Sequence, residues 1–316
     1  APPHRLPPVM CMKRRVRADL CLVLCGVLVW FLADAVRVRA AASAALALCA
    51  KSVIPALFPF LAVSGLLLSL GFGEWGSPRL GGLMALYRLP GPAGSALLLG
   101  LVGGYPIGAR TAGDLYRAGL LTEDEAVRLL AFCNNSNPVF LVSVLGSGVF
   151  GSTRAGLWLW LIHVLSALLT GLCFRGPGTP PRRRVPPPSL RREERSFAAA
   201  FVPAVREAAW GMVSICAFVT LFSVLANPLT ALGAPWSTAL TGALELFSLT
   251  PLLTPDQTGF LLAAGLSGWG GVSVLCQTAA VLEDTGLPLR TCWLGKAVQG
   301  VLSAALAALL AGYALG

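Results

Sequence analysis

The sequence predicts an all-α polytopic membrane protein, and three observations support this fold class. The 316 residues are 56% hydrophobic and only 12% charged, whereas about a quarter of the residues of a soluble domain are charged. Apolar runs long enough to cross a bilayer recur along the chain, and we expect about eight spans of roughly twenty residues each. Two of these runs, 97–119 and 261–286, are interrupted by glycines around an aromatic residue.

Positive charge is concentrated in two segments of a chain whose net charge is +10. The first precedes the first apolar run, and the second is a Pro/Arg-rich stretch in the middle of the sequence. Nucleic-acid binding is one interpretation, but Lys and Arg that flank apolar spans stay on the cytoplasmic side. We therefore expect both segments in the cytoplasm and no nucleic-acid partner.

These features divide the chain into four parts. We expect a basic cytoplasmic N-terminus (1–17), a first membrane half (18–174), a cytoplasmic linker (175–197) and a second membrane half (198–316). The density of proline and of like charge makes the linker extended. The first apolar run resembles a signal peptide, but further spans follow it, so we expect it to be retained.

The individual elements follow from apolar length and from start and stop signals. In the first half we expect helices over 18–38, 40–53, 55–71, the broken segment 95–119, 122–132, a short stretch 139–150 and 155–174. Thr122 with Glu125 three residues later is a capping box, and Pro138 ends that helix. In the second half we expect 200–226 ending at Asn227-Pro228, then 236–254, the broken segment 258–282 and 291–315.

The broken segments are the main indication of function. A bilayer tolerates a broken helix only where the freed backbone groups line a cavity or are covered by protein. Interrupted segments at corresponding positions of two halves indicate a transporter's binding site. Segments 97–119 and 261–286 share Gly-Leu, an aromatic residue and a terminal glycine, which suggests a repeat, although their gaps differ.

Four groups of residues are candidates for substrate binding. The first break contributes Gly104, Tyr105, Pro106, Gly108 and Arg110. Its glycines let the backbone approach a ligand, Pro106 removes a donor, and Arg110 supplies a fixed positive charge. Close helix packing is the alternative role for the glycines.

The second group is polar and precedes a helix break. It comprises Asn134, Asn135, Ser136 and Asn137. Amides, a hydroxyl and freed carbonyls can bind a ligand, whereas helix capping needs only one such side chain. The third group is Glu245, a carboxyl group within an apolar segment, which we expect to bind a coupling proton or neutralise Arg110. A structural ion pair is the alternative.

The second broken segment contributes the fourth group. It comprises Ser267, Gly268, Trp269, Gly270, Ser273 and Gln277. Ser273 and Gln277 share a helix face, and packing is as plausible a role for them as ligand contact. No catalytic, nucleotide-binding or metal-binding motif occurs, so we expect no enzyme activity, no cofactor and no metal site.

Five stretches together resemble a known family. These are GGYPIGAR (103–110), FCNNSNPVF (132–140), VIPALFPFLAVSGLL (53–67), TGALELFSLTPLLT (241–254) and LLAAGLSGWGGVSVLCQ (261–277). The sequence is similar to the YlbJ-type (SpoVV) sporulation integral membrane proteins, in the group with the nucleoside-recognition Gate domain. After Glu245, Ser248 matches the hydroxyl residue of that family, but Leu249-Thr250 replaces a small residue.

The resemblance implies two Gate-like halves with broken or re-entrant helices, distantly similar to concentrative nucleoside transporters. It also implies transport of dipicolinic acid across the outer forespore membrane. Arg110, helix N-termini and the asparagines would oppose the charge of this small dianion, and Tyr105 and Trp269 would stack on its ring. The alternatives are a nucleoside permease and a non-transporting sporulation scaffold. We expect a lipid bilayer around the protein, and a coupling proton or ion and homo-oligomerisation stay open.

Overall fold

All regular structure in the described part of the chain is helical. The structure, a computed structural model, describes residues 14–71, 80–177, 197–232 and 235–316. Most of the predicted basic N-terminus and most of the predicted linker lie outside these ranges. The segment between the predicted helix 55–71 and the broken segment 95–119 is described only from residue 80 onwards.

The first half contains eight α-helices and two π-helical segments among the residues that the structure describes. In order these are α1 (Arg14–Ala33), α2 (Ala35–Leu48), a π-helical turn (Cys49–Val53), α3 (Ile54–Ser69), α4 (80–86), α5 (Ala93–Gly103), α6 (Ile107–Arg117), α7 (Glu123–Leu130), a π-helix (Phe140–Val149) and α8 (Thr153–Cys173). The predicted capping box is confirmed, because the Thr122 hydroxyl accepts from the Glu125 amide and the Glu125 carboxylate accepts from the Thr122 amide.

The second half is built from six α-helices within its described residues. These are α9 (Phe197–Ala231), α10 (Pro235–Leu244), α11 (Leu246–Leu249), α12 (Gln257–Trp269), α13 (Val272–Leu282) and α14 (Arg290–Leu315). The predicted end at Asn227-Pro228 is wrong, since α9 continues through Pro228. A side-chain hydrogen bond accompanies the proline, because the Thr230 hydroxyl donates to the carbonyl oxygen of Asn227.

The N-terminal helices also differ from the prediction. The span expected over 18–38 is interrupted at Asp34, between α1 and α2. The helix expected to end at residue 53 instead runs on through the π-helical turn into α3, with Pro59 inside it. Pro55 lies directly after the π-helical turn, within this continuous helix.

Five helical segments in the described ranges are long and apolar enough to cross a membrane. They are Ala35–Leu67, Thr153–Cys173, Phe197–Thr230, Gln257–Thr285 and Arg290–Leu315. Three shorter apolar helices accompany them, over Ala18–Ala33, Ala93–Gly103 and Phe140–Val149. The chain is therefore a multi-pass, all-α membrane protein, and the number of eight spans stays a prediction.

Each half has the same order of elements: a long helix, two broken helices and a closing helix. In the first half these are α3, α5 with α6, α7 with the π-helix, and α8. In the second half they are α9, α10 with α11, α12 with α13, and α14. The long helices α3 and α9 pack together, as do the closing helices α8 and α14.

This order of elements does not support the repeat that the sequence suggests, in which 97–119 corresponds to 261–286. The broken segment α5–α6 holds the same place as α10–α11, and α7 with the π-helix holds the same place as α12–α13. The cross-contacts agree, because α7 packs against α14 while α12 packs against α8. The shared glycines of 97–119 and 261–286 therefore belong to elements at different places in the two halves.

Candidate functional site

The four broken helices of the two halves contain one break each, and these four breaks come together in pairs. Break 1 is 104–106, break 2 is 131–137, break 3 is Glu245, and break 4 is 270–271. A Cβ atom on Gly104 would lie 2.8 Å from the Cβ of Asn137, which places break 1 against break 2. A Cβ on Gly271 would lie 3.3 Å from the Leu244 carbonyl oxygen, which places break 4 against break 3.

The glycines around break 1 allow the backbone of break 2 to approach closely. Gly104 has φ +82°, and the Tyr105–Pro106 peptide bond is cis. A Cβ on Gly100 would lie 1.7 Å from the carbonyl oxygen of Cys133, and one on Gly108 would lie 2.0 Å from the same atom. Gly108 therefore serves the close contact between break 1 and break 2, the packing role that the sequence left open.

Tyr105 connects break 1 to break 4. Its hydroxyl donates to the carbonyl oxygen of Ser267 over 3.2 Å. A Cβ on Gly270 would lie 2.7 Å from the same hydroxyl. Both glycine-containing breaks that the sequence singled out thus contribute to one site.

The polar segment of break 2 is buried, and protein groups use most of its hydrogen-bonding capacity. The Asn134 amide accepts from the Ala109 N–H at 3.4 Å and donates to the Thr278 hydroxyl at 2.7 Å. The Asn135 amide donates to the Phe132 carbonyl oxygen at 2.8 Å. Asn134 and Asn135 therefore hold break 2 in place.

Asn137 and Ser136 differ in their hydrogen-bond partners. The Asn137 side-chain oxygen accepts from the Phe140 N–H at 2.8 Å, whereas its buried Nδ2 has no hydrogen-bond partner. The Ser136 amide donates to His163 Nε2 at 3.1 Å, and its hydroxyl lies 3.4 Å from the carbonyl oxygen of Ser267. Since His163 Nε2 accepts, the proton of the neutral ring resides on Nδ1.

A small internal cavity adjoins these residues. Its volume is about 30 Å³, enough for about one or two water molecules. Four polar residues line it, namely Tyr105, Ser136, Asn137 and Gln277. The apolar lining is Leu57, Phe140, Ile215, Leu246, Phe247 and Val274. Breaks 1 and 2 therefore contribute to the cavity wall, and the two residues that follow break 3 in α11 contribute as well.

Sequence reasoning missed Lys296 and Gln299, which are fully buried on α14. Lys296 Nζ donates to the carbonyl oxygen of Asn134 at 2.9 Å and to Gln299 Oε1 at 2.7 Å. Gln299 Nε2 donates to Asn135 Oδ1 at 2.9 Å. Lys296 Nζ also lies 5.1 Å from the centre of the Tyr105 ring. A lone lysine in an apolar span was the signal that could have found it.

Other predicted site residues lie away from the cavity wall. Arg110 is half-exposed, and its guanidinium pairs with the Glu207 carboxylate on α9 at 2.7 Å, not with Glu245. The Trp269 indole donates to the carbonyl oxygen of Ala243 at 2.9 Å. A Cβ on Gly268 would lie 2.6 Å from the Ser303 hydroxyl, so this glycine admits α14.

Glu245 is buried at break 3 and acts as a helix cap. Its carboxylate accepts from the Ser248 N–H at 2.6 Å. The Ser248 hydroxyl lies 2.6 Å from that of Ser223 on α9. In the second broken segment, Gln277 Nε2 donates to the Ser273 hydroxyl at 3.4 Å. Within the described ranges, no cluster of His, Cys, Asp or Glu has the geometry to hold a metal ion.

Comparison with known proteins agrees with the resemblance seen in the motifs. Residues 50–153 match the Gate family model, described as nucleoside recognition. The chain is similar to the sporulation integral membrane protein YlbJ of Bacillus subtilis (strain 168), with 27% identity over 300 residues, 82% of this chain and 74% of that protein. No solved structure gives a significant match. The resemblance to YlbJ-type proteins and to the Gate group is confirmed.

Proposed function

We propose that this protein transports a small anionic metabolite, dipicolinic acid, across the outer forespore membrane during sporulation. The observation that carries the proposal is the meeting of four helix breaks beside a buried cavity with a free amide donor, Asn137 Nδ2. Broken helices around an internal site are typical of secondary transporters. Similarity to a sporulation membrane protein supports the cellular setting.

The chemistry of the site suits an anion. Helices α6 and α13 begin at breaks 1 and 4, and no side chain caps either N-terminus. Helix N-termini carry a partial positive charge and favour negative ligands. The buried Lys296 side chain lies beside break 1, 5.1 Å from the centre of the Tyr105 ring, and donates to the Asn134 carbonyl oxygen of break 2.

The site must enlarge before it holds such a substrate. A cavity of about 30 Å³ is far smaller than the roughly 300–1,000 Å³ of ordinary small-molecule pockets. We infer that transport involves a shift of the broken helices that enlarges this cavity. In this proposal the basic N-terminus and the linker face the cytoplasm, and a proton or ion gradient or simple facilitated diffusion drives the flux.

A nucleoside permease is the second candidate, favoured by the match to a nucleoside-recognition family model. Amide and phenol groups such as Asn137, Gln277 and Tyr105 also suit a nucleobase. A third possibility from another class, a sporulation scaffold, predicts partner binding and no flux.

Uptake into proteoliposomes tests these functions directly. Purified protein is reconstituted, and the uptake of radiolabelled dipicolinate and of radiolabelled uridine is compared with that of empty vesicles. Saturable dipicolinate uptake supports the proposal, and saturable uridine uptake alone favours the permease. Absence of both fluxes contradicts transport. A deletion strain should form spores with strongly reduced dipicolinate, and normal spore dipicolinate would contradict the proposed substrate.

A further inference from the structure

Lys296 is a fully buried lysine of the helix bundle. Only 1% of the residue is exposed, and it lies on α14, one of the helices long enough to span the membrane. The ammonium group donates to the Asn134 carbonyl oxygen and to Gln299 Oε1. Both acceptors are neutral, so these hydrogen bonds use donors of the group without placing a negative charge beside it.

No carboxylate in the described residues lies within 4.0 Å of this ammonium, since the ion pairs found there involve only arginines. The ionisable neighbours of Lys296 include Cys133, Cys292, His163 and Tyr105. Cysteine thiols are ordinarily uncharged at neutral pH. A buried positive charge is costly unless it is paired, and the described residues supply no anionic partner for one on Lys296.

Two features connect Lys296 to the cavity. The Tyr105 ring lines the cavity and also lies 5.1 Å from Lys296 Nζ. Break 2 lines the cavity with Ser136 and Asn137, and it contacts Lys296 through the Asn134 carbonyl oxygen. Lys296 therefore lies next to the part of the cavity wall that Tyr105 and break 2 form.

We propose that Lys296 binds a carboxylate of the transported metabolite, and that it sets the preference for anions over neutral molecules. This inference rests on the proposed transport function. Arg110 is less suited to the task, because its guanidinium is half-exposed and already paired with Glu207. On binding, the substrate carboxylate would replace Gln299 Oε1 or the Asn134 carbonyl oxygen as acceptor, while Asn137 Nδ2 donates from the cavity side.

The test compares three variants in proteoliposomes: Lys296→Met, Lys296→Gln and Lys296→Arg. Lys296→Gln keeps a donor for neutral acceptors but loses the charge, and Lys296→Arg keeps the charge. We expect the two uncharged variants to raise the KM for dipicolinate by about tenfold or more, the effect of losing a hydrogen bond to a charged group. Lys296→Arg should retain more of the uptake than Lys296→Gln.

The exposed Lys51 provides the matched control. Lys51→Met removes one lysine without touching the site, so its KM should equal that of the wild type. If Lys296 were only structural, Lys296→Gln would restore uptake better than Lys296→Arg, and that order would overturn the inference. Wild-type protein without dipicolinate uptake would instead overturn the proposed function, and the inference with it.

A second measurement on the unaltered protein covers the case in which the variants do not fold. Dipicolinate and its uncharged diamide, which have similar shapes, compete for uptake of labelled dipicolinate. An ammonium in the site should favour the dicarboxylate by about tenfold or more. Equal inhibition by the two compounds would overturn the inference without reference to any substitution.

Discussion

The Tyr105 hydroxyl donates to the carbonyl oxygen of Ser267, over 3.2 Å and a separation of 162 residues. This bond connects the break between α5 and α6 to the last turn of α12, immediately before break 4. Tyr105 also lines the cavity and contacts Lys296. The Tyr105 side chain thus contacts the second half of the chain, the cavity and Lys296.

Asn137→Asp tests the one free donor of break 2. The aspartate keeps the oxygen that accepts from the Phe140 N–H, but it loses the unpartnered Nδ2 and adds negative charge beside the cavity. We expect dipicolinate uptake to fall by about tenfold or more. Aspartate caps a helix as well as asparagine does, but its buried charge costs stability, so uptake is compared at equal amounts of folded protein.

Asn135→Asp is the control for that variant. The Asn135 side-chain nitrogen donates to the Phe132 carbonyl oxygen. An aspartate would replace this donor by a carboxylate oxygen, and two acceptor oxygens would then face each other. We expect a lower melting temperature, corresponding to about 1–3 kcal/mol for an unsatisfied buried group. Wild-type uptake by Asn137→Asp would contradict a role for its amide in binding.

Gly108→Ala tests the close approach of breaks 1 and 2. The new Cβ would lie 2.0 Å from the carbonyl oxygen of Cys133. The backbone at Gly108 or at Cys133 would have to move, which would shift break 1 or break 2. We expect a loss of at least about 1–3 kcal/mol, typical of overpacking, read as a lower melting temperature or aggregated protein on size-exclusion chromatography.

Gly211→Ala, on α9, provides the comparison for Gly108→Ala. A Cβ at Gly211 meets no atom within 4 Å. Alanine should be neutral or stabilising there, by up to about 1 kcal/mol, because glycine is the weaker helix former. Equal melting temperatures of Gly108→Ala and the wild type would show that the two breaks are not rigidly packed.

A charge swap tests the role of Arg110. The sequence indicates that this residue binds substrate, and the structure pairs it with Glu207 at 2.7 Å, with 46% and 55% of the two side chains exposed. Such a pair contributes only about 0.2–1 kcal/mol. We expect Arg110→Glu with Glu207→Arg to recover most of the uptake that either single reversal loses. A swap variant as inactive as Arg110→Glu would favour direct substrate binding.

The start of α12 should show a dependence on pH. The Gly259 N–H and the Thr254 hydroxyl donate to Asp256 and hold the pKa of its carboxyl group below the ordinary value. Because the folded-state pKa is depressed, the stabilisation is present above the ordinary aspartate pKa and is lost as the pH falls through the folded-state pKa.

Asp256→Asn isolates this contribution, since asparagine keeps an accepting oxygen but does not titrate. We expect its melting temperature to depend less on pH than that of the wild type, between about pH 6 and about pH 3. Identical pH dependence of the two proteins would show that Asp256 does not stabilise α12 through its charge.

The sequence predicted the local events well, because local chemistry causes them. The break at Gly104-Tyr105-Pro106, the break at Gly270-Gly271 and the capping box at Thr122 occur where they were expected. Proline was overrated as a stop signal at Pro228, because a long apolar helix can continue through one lost hydrogen bond. Lys296 was missed, although the argument that selected Glu245 applies equally to a lysine in an apolar span.

By itself, the sequence determined that the chain forms apolar helices and that particular helices break, since glycine and proline act within one or two turns. Only the tertiary structure decided which breaks meet and which polar groups remain free. Asn134, Asn135 and Asn137 look alike in the sequence. The amides of the first two have partners, either on distant helices or a few residues away in the sequence, whereas Asn137 Nδ2 has none. The physical reason is that a hydrogen bond depends on what lies within about 3 Å, and helix packing brings Thr278 and Gln299 there from more than a hundred residues away.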